Sequence, residues 1–168
     1  MTMGPKSEQD LKEAFAGESQ ANRKYLAFAK QAEKDGYSQV AKLFRAAAEA
    51  ETVHAHNHLR ALGGIRSTRD NLEEAIAGET HEFKNMYPQM IADAEIEQAS
   101  EARRSFTYAN AVEKVHAALY EKALAALDQP EELFDYYICP VCGHTVEREA
   151  PDTCVVCGAK GAVFFKAA

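Results

Sequence analysis

The sequence predicts a mainly α protein: a four-helix bundle followed by a small metal-stapled β ribbon. Three observations predict it. First, two stretches read almost alike. Ala14-Phe15-Ala16-Gly17-Glu18-Ser19 returns as Ala75-Ile76-Ala77-Gly78-Glu79-Thr80, and Glu51-Thr52-Val53-His54-Ala55 returns as Glu113-Lys114-Val115-His116-Ala117. The second pair is offset by a single position more than the first. Second, apolar residues recur with helical spacing over four segments, mostly divided by Gly or Pro. Third, all four Cys lie near the C-terminal end, from Cys139 to Cys157, as two Cys-x-x-Cys pairs.

The elements follow in order. From about Ser7 to Lys34, Leu11, Phe15, Glu18, Asn22, Tyr25, Ala29 and Ala32 share one helical face. Asp35-Gly36 stops that helix, and Ser38 is placed to cap the next. The second helix carries Val40, Phe44, Ala47, Glu51, His54 and Leu62 and ends at Gly63-Gly64. Thr68 or Asp70 opens a third, through Leu72, Ile76, Glu79, Phe83 and Met90. A fourth runs from about Ser100 through Phe106, Val112, His116, Leu119 and Leu124 to Asp128-Gln129-Pro130. The turn between them lacks Gly and Pro. The repeat places it near Gln98, because Ser100 matches Ser38 and Phe106 matches Phe44. After Pro130 a short acidic linker leads to aromatic and β-branched pieces around the Cys pairs, ending in Val163-Phe164-Phe165. The expected domains are 1–130 and 131–168.

Length and composition narrow the class. A chain of 168 residues holds one ordinary domain plus a small one, and 46% hydrophobic content supplies a core. Abundant Ala and the absence of Trp suit close-packed helices. A net charge of -7 argues against a nucleic-acid partner, since phosphate binding needs a basic face. No apolar run approaches the ~20 residues of a membrane span. No basic-then-apolar leader opens the chain, so a cytoplasmic location is expected and the thiols read as metal ligands rather than disulfides.

Seven residues form the first candidate site: Glu18, Glu51, His54, Glu79, Glu82, Glu113 and His116. Glu-x-x-His puts two donors on one helix face, because i and i+3 are neighbours there. Glu79 and Glu82 share a face for the same reason. These faces are the apolar ones, so the carboxylates point inward. An unpartnered inward Glu costs several kcal/mol or takes up a proton. The inward positions offer no Lys or Arg, whereas two metal ions would balance the charge. One Glu from each of two helices and Glu-x-x-His from each of the other two is the donor set of a carboxylate-bridged two-metal bundle. Glutamate with a minority of imidazole suits iron or manganese better than zinc.

Other polar residues carry less. His56, two positions past His54, is turned about 200° round the helix from it and reads as exposed. His58 lies on the His54 face one turn on and reads as a packing group. His81 is off the Glu79 and Glu82 face and reads as a surface residue. Tyr25, two turns after Glu18 on its face, is either a core tyrosine or a donor to a ligand carboxylate. Tyr87 is less well aligned.

The second candidate site is Cys139, Cys142, Cys154 and Cys157. Four thiolates in two short knuckles give a tetrahedral sulfur site for zinc or a single iron. Gly143 and Gly158, each following a second Cys, permit the tight turn that aims backbone N–H groups at sulfur. A structural zinc ribbon is the simpler reading. Beside a redox-capable carboxylate site, one-electron iron is the better one.

With these motifs in this order, the chain resembles the rubrerythrins over nearly its whole length. The resemblance implies a ferritin-like four-helix bundle and a rubredoxin-like ribbon. It implies a non-haem iron peroxidase that reduces hydrogen peroxide to water, with two iron ions in the bundle and one on the four Cys, where zinc is possible in recombinant protein. An external NAD(P)H-driven reductase would supply electrons. In the family a glutamate and a histidine exchange on one iron with redox state, and Glu82 and His54 occupy those positions. One departure is the short connection between the second and third helices, where longer members carry a lengthy crossover. Two alternatives are a ferroxidase or iron store of the ferritin type, and a zinc-ribbon interaction protein with a helical body. The short connection has a consequence for assembly. Gly63 to Asp70 must climb roughly 25 Å and step about 10 Å sideways, with a stretched reach of roughly 23–29 Å. A domain-swapped homodimer is therefore expected, with Glu18, Glu51 and His54 of one chain facing Glu79, Glu82, Glu113 and His116 of its partner.

Overall fold

The computed structural model of the chain describes residues 4–130 and 132–167. They form two compact units, Met1–Arg66 and Ser67–Ala168, each taken by itself below.

The first unit is a helical hairpin of α1 (Pro5–Lys34) and α2 (Ser38–Ala61). Pro5 occupies the first turn, where its missing N–H costs nothing. The two helices meet through small residues: Ala29, Ala32, Ala41, Ala48 and Ala55 are buried. Ala41, Ala48 and Ala55 recur every second turn and so form one stripe, along which the backbones approach closely. Asn22, also buried, donates to the Ala48 carbonyl (2.7 Å) and the Thr52 hydroxyl (2.8 Å), tying α1 to α2 beside Glu51. Tyr25, Phe28 and Phe44 cluster further along, with centroids 5.6–6.4 Å apart. Two helices cannot enclose larger apolar chains. Leu43 is 67% and Val53 57% exposed.

The second unit begins with α3 (Thr68–His81), a five-residue π turn (Glu82–Met86) and α4 (Tyr87–Ile96), which continue one another as a third helical rod. The rod packs along α5 (Ser100–Ala126). The helix opens at Thr68, one of the two expected starts, and Ser67 before it caps α3 by accepting from the Asp70 N–H (3.1 Å). A three-stranded antiparallel ribbon follows: β1 (Tyr136–Ile138), β2 (Thr145–Glu147) and β3 (Phe165–Lys166), in the order β2-β1-β3. In the closing Val163-Phe164-Phe165 stretch, Phe165 pairs with Ile138, while Gly161–Val163 coils into a 3-10 turn. Lys122 of α5 pairs with Glu147 of β2, and Arg148 pairs with Glu132 (2.8 Å) while its guanidinium lies 4.7 Å from the Phe134 ring centre.

The π turn explains the change of offset between the two copies. Tyr25 to Tyr87 is a single position longer than Glu18 to Glu79, so the extra residue lies between Glu79 and Tyr87. A π turn holds that residue without breaking the rod. In an unbroken α-helix Tyr87 would sit about 80° from Glu79; with one residue absorbed it returns to within about 20°. Beyond the turn the copies stay in step, since Ala32 and Ala94 are both buried. The expectation of an uninterrupted third helix is corrected here.

Three helix ends share one hydrogen-bond pattern. After α1, α2 and α4, residues Gly36 (φ 84°), Gly63 (φ 69°) and Gln98 (φ 57°) turn left-handed, and the next N–H bonds back to Ala32, Leu59 and Ala94. The Gln98 turn falls where the repeat placed it. The α1–α2 turn leaves Ser38 inside the helix as its first residue, with Tyr37 at the cap position, so Ser38 is not a cap. A left-handed non-Gly residue costs roughly 1–2 kcal/mol, partly offset by the backbone entropy of Gly. Gln98→Gly is expected to stabilise the chain by roughly 0.5–1 kcal/mol in denaturant unfolding.

Candidate metal centres

Each unit gathers one carboxylate–histidine cluster. In the hairpin, Glu18 on α1 and Glu51 and His54 on α2 bring one donor atom each within 4.8 Å of one another. His54 Nδ1 lies 2.9 Å from Glu51 and 3.9 Å from Glu18. In the second unit, Glu79 on α3 and Glu113 and His116 on α5 do the same. His116 Nδ1 lies 2.7 Å from Glu113 and 3.6 Å from Glu79. The duplicated sequence therefore yields a duplicated geometry. Both clusters aim Nδ1 at two carboxylates, at the separations of neighbouring donors around one ion. Bonds of about 2.1 Å place cis donors about 3 Å apart.

Electrostatics mark the second cluster as strained without a cation. Burial, then the Glu113 charge, push the Glu79 carboxyl up to about 7, with further repulsion from Glu82 and partial relief from His116. The hydrogen bond to Glu113 raises His116 against the effect of burial. Both shifts act the same way on stability. A raised folded-state pKa means that the native state holds the proton longer than the unfolded state. The associated stability is present at low pH and lost as pH rises. For Glu79 the window runs from about 4.5 to about 7. Metal-free protein is thus expected to melt at lower temperature as pH is raised through that window. Glu79→Gln should flatten the slope, and an unchanged slope would remove Glu79 as its cause.

Glu82 begins the π turn and lies outside the three-residue group, though its charge contributes to the shifts of Glu79, His116 and Tyr87. Tyr25 and Tyr87 differ in their surroundings. Tyr25 packs against Phe28 and Phe44, and its hydroxyl makes no hydrogen bond to Glu18 among the described residues. Tyr87 lies among the carboxylates: burial, then Glu82, Glu113 and Glu79, raise its phenol. The π turn, not the α-helical period, aligns it. His56 and His81 are exposed and His58 is half-buried, and none joins either cluster.

The four Cys converge in the ribbon. Cys139 Sγ to Cys157 Sγ and Cys142 Sγ to Cys154 Sγ are each 3.6 Å, far beyond a disulfide bond. A tetrahedral ion with bonds of about 2.3 Å has S–S edges of about 3.8 Å, so the cradle fits one. Gly143 and Gly158 turn with positive φ and return their N–H to Cys139 and Cys154 carbonyls at 2.9 Å. Burial opposes a charged Cys154, but N–H groups of Cys157 and Val156 and the neighbouring Cys side chains outweigh it and bring the thiol to about 7.

One residue outside the sequence-derived set joins these centres. Thr145 Oγ1 lies 3.0 Å from His116 Nε2 and donates to the Gly143 carbonyl at 3.1 Å. No periodicity or motif marks it.

Helical rods bearing paired Glu/Glu/His clusters, joined to a four-sulfur ribbon, define a carboxylate two-metal protein with an attached thiolate centre. Residues 10–124 match the rubrerythrin family, and residues 137–165 match the family's rubredoxin-like domain. The chain belongs to the rubrerythrin family. It is 37% identical to rubrerythrin-2 of Clostridium acetobutylicum over 89% of this chain and 90% of that one. It is 34% identical to nigerythrin of Nitratidesulfovibrio vulgaris over 89% and 80%. Among solved structures, nigerythrin in its all-ferrous state is similar at TM-score 0.59, with 32% identity over 99% of this chain and 89% of that one. The mixed-valence state gives 0.58. No helix among the described residues is long and apolar enough to cross a membrane.

Proposed function

We propose that this chain is a non-haem di-iron peroxidase that reduces hydrogen peroxide to water, with electrons relayed through an iron on the four Cys. The observation that carries the reading is the pair of Glu/Glu/His clusters with matching Nδ1 geometry, one of them in the same unit as the four-sulfur cradle. Glu18, Glu51, His54, Glu79, Glu82, Glu113 and His116 would hold two iron ions, and Cys139, Cys142, Cys154 and Cys157 the third. Two ferrous ions held there would together supply the two electrons that turn H2O2 and two protons into two waters.

The protein groups do the rest. The carboxylates neutralise the ions and keep the acidic site intact. Glu82, just outside the Glu79 cluster at the start of a turn, would join or leave it in exchange with His54, as the family resemblance implies. Tyr87 presents a phenol whose proton burial and three carboxylates hold firmly, and is placed to donate a hydrogen bond. The functional modules are 1–130 and 131–168, and the partner is an external NAD(P)H-driven reductase. We place the protein in the cytoplasm, where thiolates stay reduced.

The helix boundaries support a swapped homodimer. If α2 and α3 lie parallel in one bundle, the path from His54 to Ala61 and from Thr68 to Glu79 adds about 27 Å of climb, with a sideways step of about 10 Å. The seven links from Ala61 to Thr68 reach only about 23–25 Å. Exchange between chains removes the shortfall.

Stopped-flow mixing tests the activity. Reduced protein should be oxidised by peroxide much faster than by dioxygen. Equal or reversed rates would instead favour a ferroxidase.

A further inference from the structure

The two clusters match at Nδ1 but differ at the other ring nitrogen. His116 Nε2 is held by Thr145 of the ribbon, whereas His54 makes no hydrogen bond at Nε2 among the described residues and is 54% exposed in its hairpin. A second contact of the Thr145 hydroxyl favours one direction for this bond. The hydroxyl has one hydrogen, and the Gly143 carbonyl receives it at 3.1 Å. With its hydrogen on that carbonyl, the hydroxyl turns a lone pair toward His116, an arrangement that pairs with a hydrogen on Nε2. With the proton at Nε2 and the bond holding the ring, Nδ1 is the nitrogen turned to Glu113 and Glu79.

We propose that Thr145 is a positioning residue: it fixes the ring orientation and the Nε2–H form of His116, so that Nδ1 is held toward Glu113 and Glu79 as a metal donor. The inference rests on the ligand assignment proposed above. It makes the ribbon part of the bundle site rather than an appendage. Gly143 follows Cys142 directly, so the same contact runs from one thiolate knuckle through a carbonyl and a hydroxyl to the His116 ring. Lys122 to Glu147, from α5 to the same strand as Thr145, holds the two surfaces in register. Partners that orient a metal-binding imidazole through its second nitrogen typically change metal affinity about 10–100-fold when removed.

The test compares Thr145→Val, which keeps shape and loses the hydroxyl, with Thr145→Ser, which keeps the hydroxyl. In full-length protein with zinc on the four Cys, an empty bundle and 15N-labelled histidine, long-range 1H–15N spectra should show a slowly exchanging His116 Nε2–H in wild type and Thr145→Ser, and its loss in Thr145→Val. In anaerobic Fe2+ titration, Thr145→Val should bind bundle iron about 10–100-fold more weakly, with Thr145→Ser near wild type. The thiolate-to-iron bands report that the ribbon stays folded; if Val disturbs them, Thr145→Ala replaces it with the same expectations. An unchanged Nε2–H signal with unchanged Fe2+ affinity overturns the proposal. A wild-type chain that takes no iron into the bundle overturns the ligand assignment instead, while the spectra still read the Thr145 contact.

Discussion

Cys139→Ser is expected to abolish the visible thiolate-to-iron bands and leave two metal ions in the bundle. The four sulfurs converge within the ribbon, and the carboxylate clusters draw no metal donor from it, so losing the sulfur-bound ion removes no bundle ligand. Cys139 is among the most buried side chains and pairs at 3.6 Å with Cys157, so an oxygen in its place breaks the tetrahedral sulfur set. Turnover with an external electron donor should fall below about a hundredth of wild type, roughly 2.7 kcal/mol in apparent barrier. A single oxidation of chemically pre-reduced protein by peroxide should change far less. The reciprocal variant, His116→Ala, should lower bundle metal and keep the bands. Loss of both centres from either change would argue against two modules.

The second large effect concerns how the bundle site is assembled. Glu51→Ala and Glu113→Ala homodimers should each lose bundle metal. Each hits one member of a three-donor cluster, Glu51 beside His54 in one and Glu113 beside His116 in the other. In an exchanged heterodimer, one site carries both lesions and the other carries none. Co-refolding the two variants in equal amounts gives half heterodimers, each with one of two sites intact, so about a quarter of the wild-type bundle metal should return. If each chain folded its own four-helix site, every site would keep one lesion and nothing would return. The contrast is all-or-none at the level of an intact site, which makes metal analysis sufficient.

The duplicated donors are legible in the sequence because their spacing is local. Glu51 with His54 and Glu113 with His116 need only the helical period to share a face, and the structure shows that face. Helix ends are legible where chemistry forces them: Gly36 and Gly63 take up left-handed turns, and Pro130 follows the fourth helix. Even Gln98, which carries no such chemistry, is located by the repeat. The π turn is harder to see, though it leaves a trace in the single-position step between the two repeat offsets. A helical bulge has no residue signature, and the step can be placed only by following the pattern to Tyr87. Tyr87 reads as poorly aligned in the sequence for that reason. The start of the third helix at Thr68 is legible too, and the Ser67 cap before it carries a Ser-x-x-Asp signature. Thr145 has none, because its contact with His116 depends on where the ribbon lies along α5, and no local pattern encodes that.

Anaerobic titration of fully reduced protein with hydrogen peroxide tests the account most directly. Two ferrous ions in the bundle and one on sulfur would hold three electrons per chain, and each peroxide takes two. Complete oxidation should therefore need three peroxide molecules for every two chains, with no oxygen released and the thiolate bands reaching full intensity at that ratio. Protein that reaches the endpoint at another ratio, or that disproportionates peroxide to dioxygen, would contradict the claim that both centres serve one peroxide-reducing chain.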